Sequence, residues 1–153
     1  MKKLLLFVPL LLFSCSPAGN SSSSISSSSS EITSESEINM KLYIDDTYVE
    51  KVSWEDNASV KELKHLAKNI LTISMHTYGG FEQTGSIGQS IVRDDRQIDV
   101  IPGDIVLYQG NQISVFYNSS SWSYTRLGHI NMDKTDLDSL LNKSNITFVL
   151  KEE

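Results

Sequence analysis

Hydrophobic and polar positions divide the chain into three parts. Residues 4–13 form an unbroken apolar run, residues 16–37 contain few apolar side chains, and from residue 38 onwards apolar positions recur with the periods of strands and helices. These patterns predict a signal peptide at residues 1–15, a linker at residues 16–37 and one folded domain at residues 38–153.

Most of the folded part shows the alternation of half-buried strands. Met40, Leu42 and Ile44 are separated by single polar or aromatic residues, so their side chains share one face of a strand. Residues 77–90 contain four glycines and predict a long loop. Further strands are predicted at residues 47–53, 71–76, 97–101, 104–108, 112–117, 122–130 and 145–150, with turns at Asp45-Asp46, Pro102-Gly103 and Gly110-Asn111.

Two short helices are predicted from apolar residues that recur three and four positions apart. The first is capped by Asn57 or Ser59, and the second begins at Asp133 and runs through Asn142. The inward faces are expected to comprise Val60, Leu63, Ala67 and Ile70 in the first helix and Leu137, Leu140 and Leu141 in the second. With the strands, the helices predict a mainly β fold, a small barrel or sandwich with helical caps; periodicity does not choose between the two.

The N-terminus predicts export and lipidation. Lys2 and Lys3 precede the apolar run, which is shorter than the roughly 20 residues of a membrane-spanning helix and has the pattern of a secretory signal peptide. The run leads into Leu12-Phe13-Ser14-Cys15, which resembles the bacterial lipobox, a signal whose cysteine is lipidated and becomes the mature N-terminus. Cys15 is the single cysteine of the chain, so we expect it to carry acyl chains such as palmitate. The alternative is an ordinary signal peptide with a chance cysteine.

Lipidation at Cys15 predicts a place in the cell envelope, on the extracytoplasmic side. Two or more acyl chains anchor a protein stably, which makes the membrane its first expected partner. Ser16 follows the cysteine, and this indicates the outer membrane if the bacterium has two membranes.

More than half of residues 16–37 are serine, and such a segment cannot bury enough apolar surface to offset its ordering entropy. We expect a disordered tether with an average span of about 26 Å; a glycosylated stalk is the alternative.

Composition and spacing exclude several functional classes. The 13 Lys and Arg against 19 Asp and Glu give a net charge of −6, which argues against a nucleic-acid partner. One cysteine and three histidines provide neither a disulfide framework nor a thiolate zinc cluster, and we expect no metal and no cofactor. Gly80 and Gly85 have the spacing of a phosphate-binding loop but lack the lysine that must follow it. Glu62 and His65 have the spacing of a di-iron ligand pair, but such a site needs two copies and the sequence has one. The Gly-x-Ser-x-Gly motif of a serine nucleophile does not occur.

Three segments of the folded part resemble the bacterial cyclophilin-like domain family. They are GFEQTGSIG at residues 80–88, IPGDIVLYQGNQISVFY at residues 101–117 and SWSYTRLGHI at residues 121–130. The resemblance extends over about residues 38–150 in the same order, and it implies a closed, eight-stranded cyclophilin-type β-barrel. Members of the family are often lipoproteins or are fused to flavodoxin-like domains, and their activity is mostly unestablished.

A candidate ligand-binding face centres on the strand predicted at residues 122–130. Trp122, Tyr124 and Arg126 are two residues apart and therefore share one face of that strand. An arginine beside two aromatic rings stacks on a ring or grips a carboxylate or carbonyl group. The alternative for this face is plain sheet packing, in which Arg126 covers the tryptophan or pairs with an acidic residue. The alternative for the glycine-rich loop is that it plugs one end of the barrel. Neighbouring strands of the resemblance add Tyr108, Gln112 and Phe116 to this face. Phe81 and Glu82 of the glycine-rich loop are expected to form a groove wall beside it.

These observations predict a membrane-anchored extracytoplasmic lipoprotein whose barrel binds a peptide or small ligand without catalysis, so no catalytic residue is assigned. Two alternatives stay open: an envelope peptidyl-prolyl cis-trans isomerase or folding helper, and an accessory to a flavodoxin-type redox protein. The resemblance implies that an active isomerase carries an arginine in a Phe-His-Arg segment on an early strand, and residues 73–78 contain no arginine. Only the context of the family favours the redox accessory.

Overall fold

The structure, a computed structural model, describes residues 38–153; the predicted signal peptide, Cys15 and the linker lie outside the described residues. Within this range ten strands and two helices follow one another, and neither helix is long and apolar enough to span a bilayer. The helices are α1 (Ala58–Ala67) and α2 (Lys134–Leu141). The strands β1 to β10 are Met40–Ile44, Thr47–Val49, Val52–Trp54, Leu71–Tyr78, Glu82–Ser86, Arg96–Val100, Asp104–Tyr108, Gln112–Phe116, Ser120–Ile130 and Asn145–Glu152.

The sheet curls into a nearly closed barrel because one bent segment pairs with both of its ends. β2 pairs with β1, and β3, which follows after Glu50 and Lys51, pairs with β9 at the opposite end of the strand order. The order between these ends is β1-β10-β4-β5-β8-β7-β9. At the seam of the barrel, where β3 approaches β1, Nε1 of Trp54 donates a hydrogen bond of 3.0 Å to the carbonyl oxygen of Met40. The predicted mainly β barrel with two short helices is therefore confirmed.

The barrel interior is filled by the inward residues of the alternating strands. Leu42 and Ile44 of β1 are fully buried, as their alternation predicts. Val60 from α1 and Leu141 from α2 enter the same apolar core, so both helices are held by their apolar faces. Asn57 caps α1, because its side chain accepts a hydrogen bond of 2.9 Å from the backbone N–H of Val60.

Strand β9 is long enough to pair with different strands along its two halves. Its second half pairs with β7 in the barrel, whereas its first half pairs with β6. Within the described range β6 has no other strand neighbour, so β6 and residues 120–124 form a two-stranded ribbon. A second apolar cluster, which includes Val106, Phe116 and Tyr124, joins this ribbon to the outer face of the barrel. The ribbon therefore covers part of that outer face.

The prediction of one long loop over residues 77–90 is wrong, because β5 lies within it. This strand lacks apolar alternation for a physical reason. Its Gln83 is buried and donates a hydrogen bond of 2.8 Å to the carbonyl oxygen of Leu141 at the end of α2. Its Gly85 leaves room for the core, since a Cβ there would lie 2.6 Å from the side chain of Ile73.

Two smaller predictions are also corrected. Residues 47–53 form two short strands rather than one, because the chain changes its pairing partner between β2 and β3. Ile70 does not extend the buried face of the first helix: α1 ends at Ala67, and Ile70 is 55% exposed with a positive φ. Its N–H bonds to the carbonyl oxygen of Ala67 in a turn that leads the chain into β4.

Candidate ligand-binding site

The outward side chains of neighbouring strands form a continuous face on the outside of the barrel. In β8, Ile113 and Val115 belong to the barrel core, so alternation places Ser114 between them on the outer face. Thr84 of β5 and Val106 of β7 lie opposite Ser114 in the two registers. The hydroxyl groups of Ser114 and Thr84 share a hydrogen bond of 3.0 Å. One row of outward positions thus crosses three strands.

Two parallel rows flank this first row. On one side, Glu82 of β5 lies between Tyr78 of β4 and Phe116 of β8. On the other side, Gln112 of β8 lies opposite Tyr108 of β7. The three rows bring together residues that are far apart in the chain, because antiparallel registers align positions on the same face of the sheet.

A cavity of about 640 Å³ lies between these rows and the ribbon. From the ribbon, Trp122 forms an exposed rim, with 58% of its surface accessible, whereas Tyr124 is buried. Within the described part of the chain, no lysine or arginine is among the residues that line this cavity. The polar side chains that do line it are chiefly His76, Glu82, Thr84, Ser86, Gln112 and Ser114.

Five aromatic rings run in contact through the floor and walls of the cavity. Tyr78 meets Phe81 edge-on at 6.1 Å between ring centroids, and Phe81 lies nearly parallel to Phe116 at 6.3 Å. Phe116 meets Tyr124 at 5.6 Å, and Tyr124 meets Tyr108 at 5.9 Å, both edge-on. Such offset and edge-to-face pairs are favourable beyond the area they bury. The chain of rings gives the cavity a preformed apolar surface.

Glu82 is the one acidic side chain among the described residues that line the cavity. It is only 7% exposed, and its Oε2 is enclosed and has no hydrogen-bond partner among the described residues. Burial raises the pKa of Glu82 above its usual range, and the hydroxyl of Ser114 opposes part of that shift. Burial also raises the pKa of Tyr124, and the nearby carboxylate of Glu82 adds to this effect. The cavity therefore contains a carboxyl group that no cation of residues 38–153 neutralises.

The structure brings most of the predicted ligand-binding residues together. Phe81, Tyr108, Gln112, Trp122 and Tyr124 all line the cavity. Phe116 is fully buried beneath it, where it stacks on Phe81. Arg126 follows Trp122 and Tyr124 on β9 as predicted but lies outside the cavity, since Asp104 and the carbonyl oxygen of Asp99 bind its guanidinium group.

Sequence reasoning gave Glu82 too small a role and missed several polar positions. The sequence predicts Glu82 only as a groove wall on the glycine-rich loop, and it does not single out Thr84 or Ser114. A usable signal was present in β8, whose polar positions Gln112 and Ser114 alternate with the core residues of the same strand. Outward polar residues on a strand that is otherwise deeply buried indicate a covered outer face.

The side chains of residues 38–153 include no group of three His, Cys, Asp or Glu placed to hold a metal ion. Glu82 and His76 both line the cavity, and the remaining polar side chains there carry hydroxyl, amide or indole N–H groups. The arrangement is suited to hydrogen bonding, aromatic contact and charge pairing with a bound molecule.

Comparison with known proteins supplies one match. A model of the cyclophilin-like family matches residues 42–151. The matched segment begins in β1 and ends in β10, so it contains the barrel except for the outer ends of these two strands, and it includes all the described residues that line the cavity. No curated protein and no solved structure matches the chain.

Proposed function

The chain belongs to the cyclophilin-like family, and we propose that its barrel binds a peptide or small ligand in the outer-face cavity without catalysing a reaction. The observation that carries this proposal is the cavity itself, about 640 Å³ in volume and walled by Tyr78, Phe81, Tyr108, Trp122 and Tyr124. Ligand pockets in proteins are commonly about 300–1,000 Å³, mostly apolar, with a few polar groups that orient the ligand. The cavity has both the size and the composition of such a pocket.

The surroundings of Arg126 support binding rather than prolyl isomerisation. An isomerase of the cyclophilin type needs an arginine that donates a hydrogen bond to the imide nitrogen of its substrate. Arg126 is the one arginine of β9, and its guanidinium group is bound by Asp104 and by the carbonyl oxygen of Asp99. The lining residues of the described domain offer no replacement guanidinium.

The proposal also places the domain outside the cytoplasm on a lipid anchor at Cys15. Its support comes from the sequence: Lys2 and Lys3, the apolar run at residues 4–13 and the lipobox that ends at Cys15. The serine-rich residues 16–37 then separate the anchor from the first described residues. In this arrangement the cavity would meet ligands of the cell envelope.

A fragment screen by NMR tests the binding proposal. The full chain, held in a non-ionic detergent, is titrated with a panel of small aromatic and peptide fragments, and the indole N–H signal of Trp122 is assigned with a Trp122→Phe variant. We expect saturable shifts that centre on Trp122 and Tyr124. The indole signal of Trp54, whose Nε1 is bonded to Met40 at the barrel seam, serves as the internal control. Shifts that cluster away from Trp122 and Tyr124 would overturn the assignment of the site.

A further inference from the structure

We infer that the ligand of this cavity carries a positively charged nitrogen, an ammonium or guanidinium group on an apolar body, with Glu82 as its counter-ion. The inference rests on the proposed ligand-binding function and names the chemical class of the ligand. Two independent features support it: the enclosed Oε2 of Glu82, which has no hydrogen-bond partner among the described residues, and the aromatic rings that line the same cavity.

The first feature is the charge that Glu82 would have when ionised. More than nine-tenths of this residue is buried, and its Oε2 receives no hydrogen bond within the described domain. Burying a carboxylate without a partner is strongly unfavourable, and proteins normally supply an opposite charge or several N–H donors. No ion pair of the described residues includes Glu82. A cationic ligand would provide the partner that the described residues do not.

The second feature is the aromatic lining. Phe81, Tyr108, Trp122 and Tyr124 border the same cavity as Glu82. The faces of such rings carry partial negative charge and attract a cation placed within about 6 Å of the ring centre. The same rings accept the apolar part of a ligand, so one molecule can satisfy both the carboxylate and the hydrophobic surface.

The charges of the lining argue against an anionic ligand. Glu82 would repel a carboxylate or phosphate, and no lysine or arginine of residues 38–153 lines the cavity to attract one. Of the described residues that line the cavity, only His76 has a basic side chain, and it is an exposed residue of β4 opposite Thr84. A neutral ligand would fit the rings but would leave the carboxyl of Glu82 unpaired.

Three probes that share one benzene ring and differ in charge separate these classes. Benzylammonium, benzyl alcohol and benzoate are titrated at pH 7.5 into the full chain in non-ionic detergent, with the indole N–H signal of Trp122 as the readout. We expect benzylammonium to bind about tenfold more tightly than benzyl alcohol, as a charge-assisted contact predicts, and benzoate not to bind. Glu82→Gln should abolish the preference for the cation, whereas the surface variant Glu50→Gln should keep it.

A second variant keeps the inference testable if Glu82→Gln does not fold. Trp122 is largely exposed, so Trp122→Leu should fold like the wild type. Because this variant lacks the indole, its titration is read from the backbone N–H signal of Tyr124, and we expect benzylammonium to bind several-fold more weakly once the aromatic ring is lost. Equal affinities for benzylammonium and benzyl alcohol, with shifts at the cavity, would overturn the cation inference and leave the binding proposal standing. Absence of benzylammonium binding, while other fragments shift Trp122, would overturn it as well. If neither these probes nor the fragment panel shifts the cavity signals, both proposals fall.

Discussion

Asp104 holds Arg126 outside the aromatic cavity. Oδ2 of Asp104 lies 2.7 Å from Nη1 of Arg126, and the side chain of Asp104 is 2% exposed. The same Oδ2 accepts the backbone N–H of Ile101 at 3.0 Å, while Oδ1 lies 2.8 Å from Nδ1 of His129. Because the carboxylate is buried and has several partners, its position is well determined, and it determines the position of the guanidinium group.

Loss of the arginine should therefore destabilise the fold. Arg126→Met leaves the buried Asp104 without its cation, and we expect the free energy of unfolding to fall by about 2 kcal/mol; the partial exposure of Arg126 keeps the loss below that of a fully buried pair. Urea denaturation measures this difference. Lys61→Met breaks an exposed pair with Asp56 and should leave stability nearly unchanged. Equal effects of the two substitutions would contradict the structural role of Asp104.

The same ion pair predicts the outcome of an isomerase assay. Since Arg126 is bound to Asp104 rather than directed at the cavity, we expect the chain not to accelerate the cis-trans isomerisation of a proline peptide, which takes tens of seconds without a catalyst. A protease-coupled peptide assay provides the measurement, with wild type and Arg126→Ala compared. Acceleration by the wild type that disappears in Arg126→Ala would instead favour the isomerase alternative.

Burial of Glu82 predicts a distinctive pH dependence of stability. Its pKa is raised above the ordinary value of 4.5, so over the interval between the two values the folded state binds more protons than the unfolded state. The free energy of unfolding contributed by this residue therefore falls as the pH rises through that interval. Glu82→Gln cannot ionise, so its stability relative to wild type should increase between pH 4 and pH 8.

Urea denaturation at a series of pH values checks this expectation. The surface variant Glu50→Gln makes the same change of carboxyl to amide and should follow the wild-type curve. A constant difference between Glu82→Gln and wild type across the pH range would show that the carboxyl of Glu82 is not destabilised by its surroundings.

Gly85 should not tolerate even a methyl group. A Cβ at this position would lie 2.6 Å from Cγ2 of Ile73 and 2.6 Å from the carbonyl oxygen of Ser74. Because the backbone atom cannot move away cheaply, we expect Gly85→Ala to cost about 1–3 kcal/mol of stability, as overpacked cores do. Thermal unfolding followed by circular dichroism gives the comparison. Ser74→Ala changes an exposed side chain on the neighbouring strand and should have little effect.

The lipid anchor is tested on the full chain in cells. We expect radiolabelled palmitate to be incorporated into wild type and not into Cys15→Ala, because Cys15 is the only cysteine of the chain. Fractionation of the same cells should place wild type with the membranes. Equal labelling of the two proteins, or a soluble native protein in the cytosol, would contradict the proposed anchor.

Local patterns were sufficient to predict several elements of this fold. The alternation in β1 and β8 and the cap at Asn57 follow from neighbouring residues, because the period of burial and the first turn of a helix are local properties. The aromatic residues of the candidate site were also accessible, since Trp122 and Tyr124 alternate on one strand. The resemblance of three segments to the cyclophilin-like family added the barrel.

Other features depend on partners that are distant in the chain. Strand β5 could not be recognised, because the burial of Gln83 is made favourable by a hydrogen bond to Leu141. The position of Arg126 depends on Asp104 of another strand, because a guanidinium group binds a buried carboxylate more strongly than it binds aromatic rings. The sequence was thus enough to identify a β domain with an aromatic face. The bent β2–β3 segment that closes the barrel and the enclosed carboxyl of Glu82 arise from strand pairing, which brings residues together independently of their separation along the chain.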